Sequence, residues 1–135
     1  MASSNRTRYL GKEKTIKALS IVRPSGSRIA SGEKTLEVRR WPAGLSPTED
    51  LLIVENGRFL REDGDEDSDG VAVAIVRVKA VRPFVFSDMQ AACVSSFEEG
   101  WLAWELCDVR PITQLIPVRA ARDIYEVDIS LPVAG

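Results

Sequence analysis

Apolar and polar positions alternate in short runs along most of the chain, a period of two that marks strands rather than helices. Ile16 to Val22 sets Ile16, Ala18, Ser20 and Val22 on one side of a first strand, and Thr35 to Trp41 sets Leu36 and Val38 against Thr35, Glu37 and Arg39. Leu51 to Glu55 is a short apolar strand. Val71 to Val81 is the strongest of the set, because its β-branched residues suit a pleated surface and its length suits a central position, with Arg77 and Lys79 outward. Trp101 to Val109 sets Trp101, Ala103, Glu105 and Cys107 opposite Leu102, Trp104 and Leu106, and Pro111 ends it. Ile112 to Val118 is extended but interrupted by Pro117, and Ile124 to Leu131 reads as the last strand.

Helices are few. Pro24 suits a first helical turn and Gly32 a left-handed cap, giving a short helix from Pro24 to Ser31. Gly26 weakens it, so packing of Ile29 and Ala30 must hold it. Ser87 is placed to cap a second helix from Asp88 to about Ser95. Pro42, Gly44 and Pro47 break the chain into a loop, and Asn56-Gly57 signals a tight turn with Arg58 to Arg61 as the returning strand. Glu62 to Gly70 is an acidic exposed loop. Residues 1–15 show little periodicity and read as a flexible basic lead-in, leaving 16–131 as the domain. Many short strands with few helices specify an α+β fold, a small mostly antiparallel β-barrel decorated by two or three short helices.

Composition narrows the chemistry. A chain of 135 residues, 44% hydrophobic, suits one domain. No apolar run approaches the roughly 20 residues needed to cross a bilayer, and Met1 to Arg6 lacks a signal-peptide core, so a soluble, cytoplasmic protein with no membrane partner is expected. There is no histidine, which removes Ser-His-Asp, Cys-His and His-metal chemistry. Cys93 and Cys107 are too far apart for a metal knuckle and read as reduced, mostly buried residues. Asp65, Asp67, Asp69 and Gly70 match the start of a calcium loop, but the closing Glu would fall at Val76, so a solvated acidic loop is favoured. No metal and no cofactor is called for.

The net charge of −2 is unevenly spread: residues 1–40 carry ten Lys and Arg against three Glu, a local +7, and the remainder carries −9. A basic face able to attract phosphates is compatible with that acidic total, and so is a solvated basic arm.

The spacing Gly32-x-Lys34-x-x-Glu37-x-Arg39 follows a strand, a Pro-started helix and Ile29. It resembles the signature of ASCH domains, members of the PUA-like superfamily of RNA-binding barrels. The likeness extends to Val71–Val81 as a central strand, to Trp104-Glu105-Leu106 with Val109-Arg110-Pro111, and to Pro117-Val118 with Tyr125-Glu126-Val127, covering about residues 16–130. It implies a cleft beside Gly32 that accepts single-stranded RNA or a modified nucleoside, lined by Lys34, Glu37, Arg39, Arg28, Arg40 and Trp41. Lys34 is a compact cation for a phosphate, Arg39 a planar fork, and Glu37 an acceptor for a base amino group or an orienter of Arg39. Glu37 and Arg39 also fit a plain surface ion pair, and Trp41 suits either base stacking or cover for the end of the core.

Some relatives in that family are hydrolases, either ribonucleases or amidohydrolases of N4-acetylcytidine. The resemblance would then put Lys34 in an active site. The amidohydrolases use a Thr three residues after the Lys, where this chain has Glu37; Thr35 is the substitute hydroxyl, and Glu98 or Glu99 the distant carboxylate. Many relatives also carry an aromatic just after the Pro. Ser25-Gly26 stands there instead, leaving either a wider gap for a ligand or a lost stacking position.

Overall fold

The computed structural model describes residues 12–131. Six strands form one sheet: β1 (Lys12–Val22), β2 (Leu36–Arg39), β3 (Leu51–Asn56), β5 (Val71–Pro83), β6 (Leu102–Pro111) and β8 (Ile124–Leu131), in the spatial order β2-β6-β5-β3-β1-β8. β1 and β3 run parallel and every other neighbouring pair is antiparallel. Two short strands, β4 (Glu66–Asp67) and β7 (Ala120–Ala121), pair separately. The fold is therefore α+β, as the alternation predicts. No ladder joins β2 to β8 among the described residues, so the sheet is open where a closed barrel is expected.

β3 lies near the middle, and its sequence explains why. All six of its residues are buried, and Leu51 and Ile53 enter one apolar cluster while Leu52 and Val54 enter another on the opposite face. A strand covered on both sides loses the apolar–polar alternation and becomes a continuous apolar run. β1 behaves the same way, with Leu19 and Ile21 in the first cluster and Ile16 and Ala18 in the second. The strand also starts earlier than expected. Lys12 to Thr15 pair with Leu131 to Asp128, so only residues 1–11 of the proposed lead-in remain, and they lie outside the described residues.

Helix α1 (Ser25–Ser31) closes on Gly32, whose φ of 87° requires the left-handed region. It is a marginal helix by length, and Ile29, wholly buried in the first cluster, anchors it. The second helix is much shorter than expected. A 3₁₀ turn, Phe86–Asp88, leads into a single α-turn, α2 (Met89–Ala92), which ends at Cys93 with φ 55°. Ser87 is not the cap: the Asp88 side chain reaches back to accept the Val85 N–H at 2.9 Å at the front of the 3₁₀ turn, while Arg82 grips it at 2.7 Å. Cys93 and Cys107 are free thiols and only partly buried.

Asn56-Gly57 does not make a hairpin. The Asn56 side chain turns back to donate to the Arg58 carbonyl at 2.7 Å and to Asp67 at 3.2 Å, and residues 58–61 form no strand. The antiparallel neighbour of β3 is instead β5, and the acidic segment folds over the intervening loop. Among the described residues, no helix is long and apolar enough to cross a membrane.

Candidate functional site

A cleft of about 500 Å³ opens where the C-terminal half of β1, the edge strand β2 and the loops after β3 and before β8 meet. Its floor is a chain of charges on β2 and the residues just before it. The Lys34 ammonium is 4% exposed, donates to the Ala92 carbonyl at 2.5 Å, and lies 3.5 Å from one Glu37 oxygen. The other Glu37 oxygen accepts the Arg39 Nε–H at 2.7 Å. Ala92 ends α2, so its carbonyl lacks an intrahelical donor, and the lysine satisfies it. Glu37 is buried too, so this is a desolvated carboxylate held between two cations, an arrangement that depends on both partners.

Arg39 ends the chain and faces the opening. Its Nη2 donates to the Ser20 carbonyl at 3.2 Å, its guanidinium lies 5.8 Å from the Trp41 ring centre, and among the described residues its Nη1 has no partner. Of the two alternatives for Trp41, cover for the core is the one its contacts show. Its ring meets Trp104 edge-on at 5.2 Å, and its carbonyl accepts the Trp104 indole N–H, so it packs on the core while lining the cleft. The Arg39 guanidinium occupies a ring face by a cation–π contact.

Behind Arg39, Ser20 shares a 2.8 Å hydrogen bond with Tyr125, whose hydroxyl donates to the Arg119 carbonyl at 3.0 Å. The Tyr125 oxygen is therefore the acceptor of the Ser20 proton. Burial pushes the Tyr125 hydroxyl above its ordinary range, so it stays a donor at neutral pH. The Ala121 N–H donates to Ser20 Oγ, which ties β7 to the cleft wall.

The other residues singled out by sequence lie elsewhere. Arg28 is half-exposed and 3.7 Å from Glu33, outside the cleft. Arg40 reaches Glu98 at 3.4 Å over a separate shallow depression that Glu99 also lines, so neither acidic residue meets Lys34. Gly32 serves as the helix cap. Thr35 is exposed and does not line the cleft: the regular strand starts one residue later, and Thr35 exchanges backbone hydrogen bonds with Ala91 and Leu106 instead. The shared face that alternation assigned to Thr35, Glu37 and Arg39 therefore holds only for the last two.

The gap at Gly26 is filled. Glu55, at the end of β3, accepts the Ser27 N–H at 2.7 Å and the Ser27 hydroxyl at 2.8 Å, and a Cβ on Gly26 would sit 3.0 Å from the Glu55 Cβ. Glycine is needed there for a buried carboxylate, not for a ligand.

Sequence reasoning missed the other half of the cleft. Arg23, Arg58, Phe59 and Arg122 all line it, contributed by loops with no periodicity. The one local signal was Arg58-Phe59 beside a glycine, a cation and an aromatic in a loop.

The profile of the ASCH domain matches residues 19–116. The chain belongs to the ASCH domain family. Among solved structures, ASCH from Zymomonas mobilis superposes with a TM-score of 0.57 at 18% identity, over 76% of this chain and 73% of that one. Two mutant proteins of the same Zymomonas mobilis ASCH give 0.56 and 0.51, each at 18% identity, the first over 76% of this chain and 75% of that one, the second over 75% and 72%. At that identity the likeness concerns the fold alone. No curated protein matches the sequence.

Proposed function

We propose that this ASCH domain binds single-stranded RNA or a modified nucleoside in the cleft floored by Lys34, Glu37 and Arg39. The carrying observation is that a buried Lys34–Glu37 pair fixes Arg39 so that its guanidinium enters the opening with a donor to spare. A planar fork held in one geometry loses little freedom when it meets a phosphate or a base edge. Arg23, exposed at the rim, makes no ion pair among the described residues and adds a cation for the backbone. The family is one of RNA-binding-like domains, which agrees with this chemistry.

Binding is the reading we favour over hydrolysis. The proposed hydroxyl, Thr35, and the proposed distant carboxylates, Glu98 and Glu99, stand outside the cleft that contains Lys34.

The test is anisotropy of a labelled single-stranded RNA titrated with the protein at rising salt. The affinity is expected to fall with a log–log slope of about −0.7 per phosphate neutralised. Arg39→Met is expected to weaken binding and Arg40→Ala, outside the cleft, to leave it unchanged. An affinity flat with salt, or equal for both variants, refutes the proposal. Incubation with acetylated cytidine and RNA, read by mass spectrometry, checks the hydrolase alternative, for which product formation abolished by Lys34→Ala is the signature.

A further inference from the structure

Phe59 is 68% exposed, yet it is not on a loose loop. The carbonyl of Arg58 is held by the Asn56 side chain at 2.7 Å, and the Arg58 guanidinium bonds Asp65 at 3.1 Å and the Glu66 carbonyl at 2.7 Å. On the other side, Leu60 packs into the second apolar cluster and the Arg61 N–H donates to Asp65 at 3.2 Å. The backbone is thus pinned before and after Phe59, and the ring between the pins is left in solvent at the mouth of the cleft. A phenylalanine whose neighbours are both anchored has its position set in advance, which lowers the ordering cost of a contact to it.

The charges around the ring are graded. Arg58 and Arg122 are answered by Asp65 and Asp63 of the acidic segment, both at about 3 Å, whereas Arg23 on the same cleft makes no ion pair among the described residues. An exposed aromatic face on the same cleft as one unanswered cation is the combination that single-stranded nucleic acid sites use, a stacking surface together with a backbone contact. Isolated exposed apolar residues are ordinary on a protein surface. This one is set apart by its fixed backbone and by its place on the same cleft as Arg39.

We infer that Phe59 and Arg23 form an outer subsite that stacks the base of a neighbouring nucleotide and contacts its phosphate, so the ligand of this cleft is an oligonucleotide rather than a lone nucleoside. The inference rests on the proposed binding role of the inner cleft. It adds a ligand of at least two nucleotides and two residues that the Gly32–Arg39 signature does not include.

The experiment compares three probes on the full chain, a ribonucleoside monophosphate, a tetraribonucleotide and the same tetranucleotide abasic at all but one position, and repeats the tetraribonucleotide titration across salt. The intact tetranucleotide is expected to bind at least about tenfold tighter than its abasic counterpart, within the range of one base stacked on an aromatic ring. Phe59→Ala is expected to remove about that factor from the intact tetranucleotide, far more than from the monophosphate or the abasic strand, and Phe59→Trp to restore it. Arg23→Ala is expected to reduce the salt slope by about 0.7, one phosphate contact. Phe59 is exposed, so its replacement leaves the core intact, and circular dichroism of each variant checks the fold. If the monophosphate binds and the intact and abasic strands bind alike, the outer subsite is overturned and the inner cleft stands. If no probe binds, the inner-cleft reading falls and this one with it.

Discussion

Replacing Glu37 by Gln gives the sharpest test of the cleft floor. The substitution keeps shape and leaves an amide oxygen able to accept the Arg39 N–H, but it removes the charge that faces Lys34 at 3.5 Å. Lys34 would then be a cation 4% exposed whose only described partner is the Ala92 carbonyl. Removing one member of a buried pair costs about 3–5 kcal/mol, because the remaining charge stays desolvated without compensation. For 135 residues, an unfolding entropy of about 2.1 cal/mol/K per residue converts this to a fall in Tm of about 10–18 °C. The reverse change, Lys34→Met, should cost less, since the Glu37 carboxylate still has a cation partner in Arg39. The double variant Lys34→Met/Glu37→Leu should recover part of the Glu37→Gln loss, as an apolar pair leaves no stranded ion. Calorimetric melting of the three variants measures this. A fall below about 3 °C for Glu37→Gln, or a double variant less stable than Glu37→Gln, refutes the claim that the pair is a desolvated, mutually dependent unit.

Three further outcomes follow from the same structure. Gly26→Ala should destabilise by about 1–3 kcal/mol in denaturant titration, because the new methyl meets the Glu55 Cβ and Cγ and displaces the carboxylate from Ser27; an unchanged midpoint counts against the close approach. Asp50, bonded by Arg110 at 2.7 Å and Arg77 at 3.1 Å, has its pKa lowered to about 2, chiefly by the hydrogen bond from Arg110. A lowered carboxylate pKa gives stability that is present above the unfolded value near 3.9 and lost as pH falls toward 2. Asp50→Asn should therefore cost about 1–2 kcal/mol at pH 7 and little near pH 2, and a pH-independent difference contradicts the assignment. Tyr125→Phe removes the acceptor of Ser20 and the donor to the Arg119 carbonyl, so a loss of about 1–2 kcal/mol is expected by thermal melting, with a weaker hold on the Ser20 segment seen by amide exchange.

The elements most legible in the sequence are those whose pattern is local. The last strand, Ile124–Leu131, has the bounds its alternation predicts, and the first helix is set between Pro24 and Gly32 by backbone chemistry that needs no tertiary information. The elements that were missed depend on distant partners. β4 and β7 are two residues each, too short for any period, and exist because Glu66 and Asp67 meet Ala121 and Ala120 across some fifty residues. Asn56-Gly57 carries a correct signal for the end of a strand, yet burial of the Asn side chain against Arg58 and Asp67 diverts the chain from a hairpin. The second helix stops after one turn because Cys93 takes a left-handed conformation, which no propensity scale anticipates for that residue.

The candidate site divides along the same line, and the division changes what its mutants can mean. The half readable from the motif, Lys34, Glu37 and Arg39, is local in sequence but works as one object. Lys34 fixes Glu37, Glu37 fixes Arg39, and of these three Arg39 is the one that presents to the opening a donor with no partner among the described residues. Loss of function in Lys34→Ala would therefore have two causes that a single activity assay cannot separate: a missing reacting amine, or an arginine released from its position. The side chains themselves supply the separation. If Lys34 acts through Arg39, then Lys34→Met and Arg39→Met should impair RNA binding to a similar degree, and combining them should add little, because both remove the same contact. If Lys34 touches the ligand in its own right, the two losses should add. Additivity of this pair decides whether the most conspicuous lysine of the motif is a contact or a support.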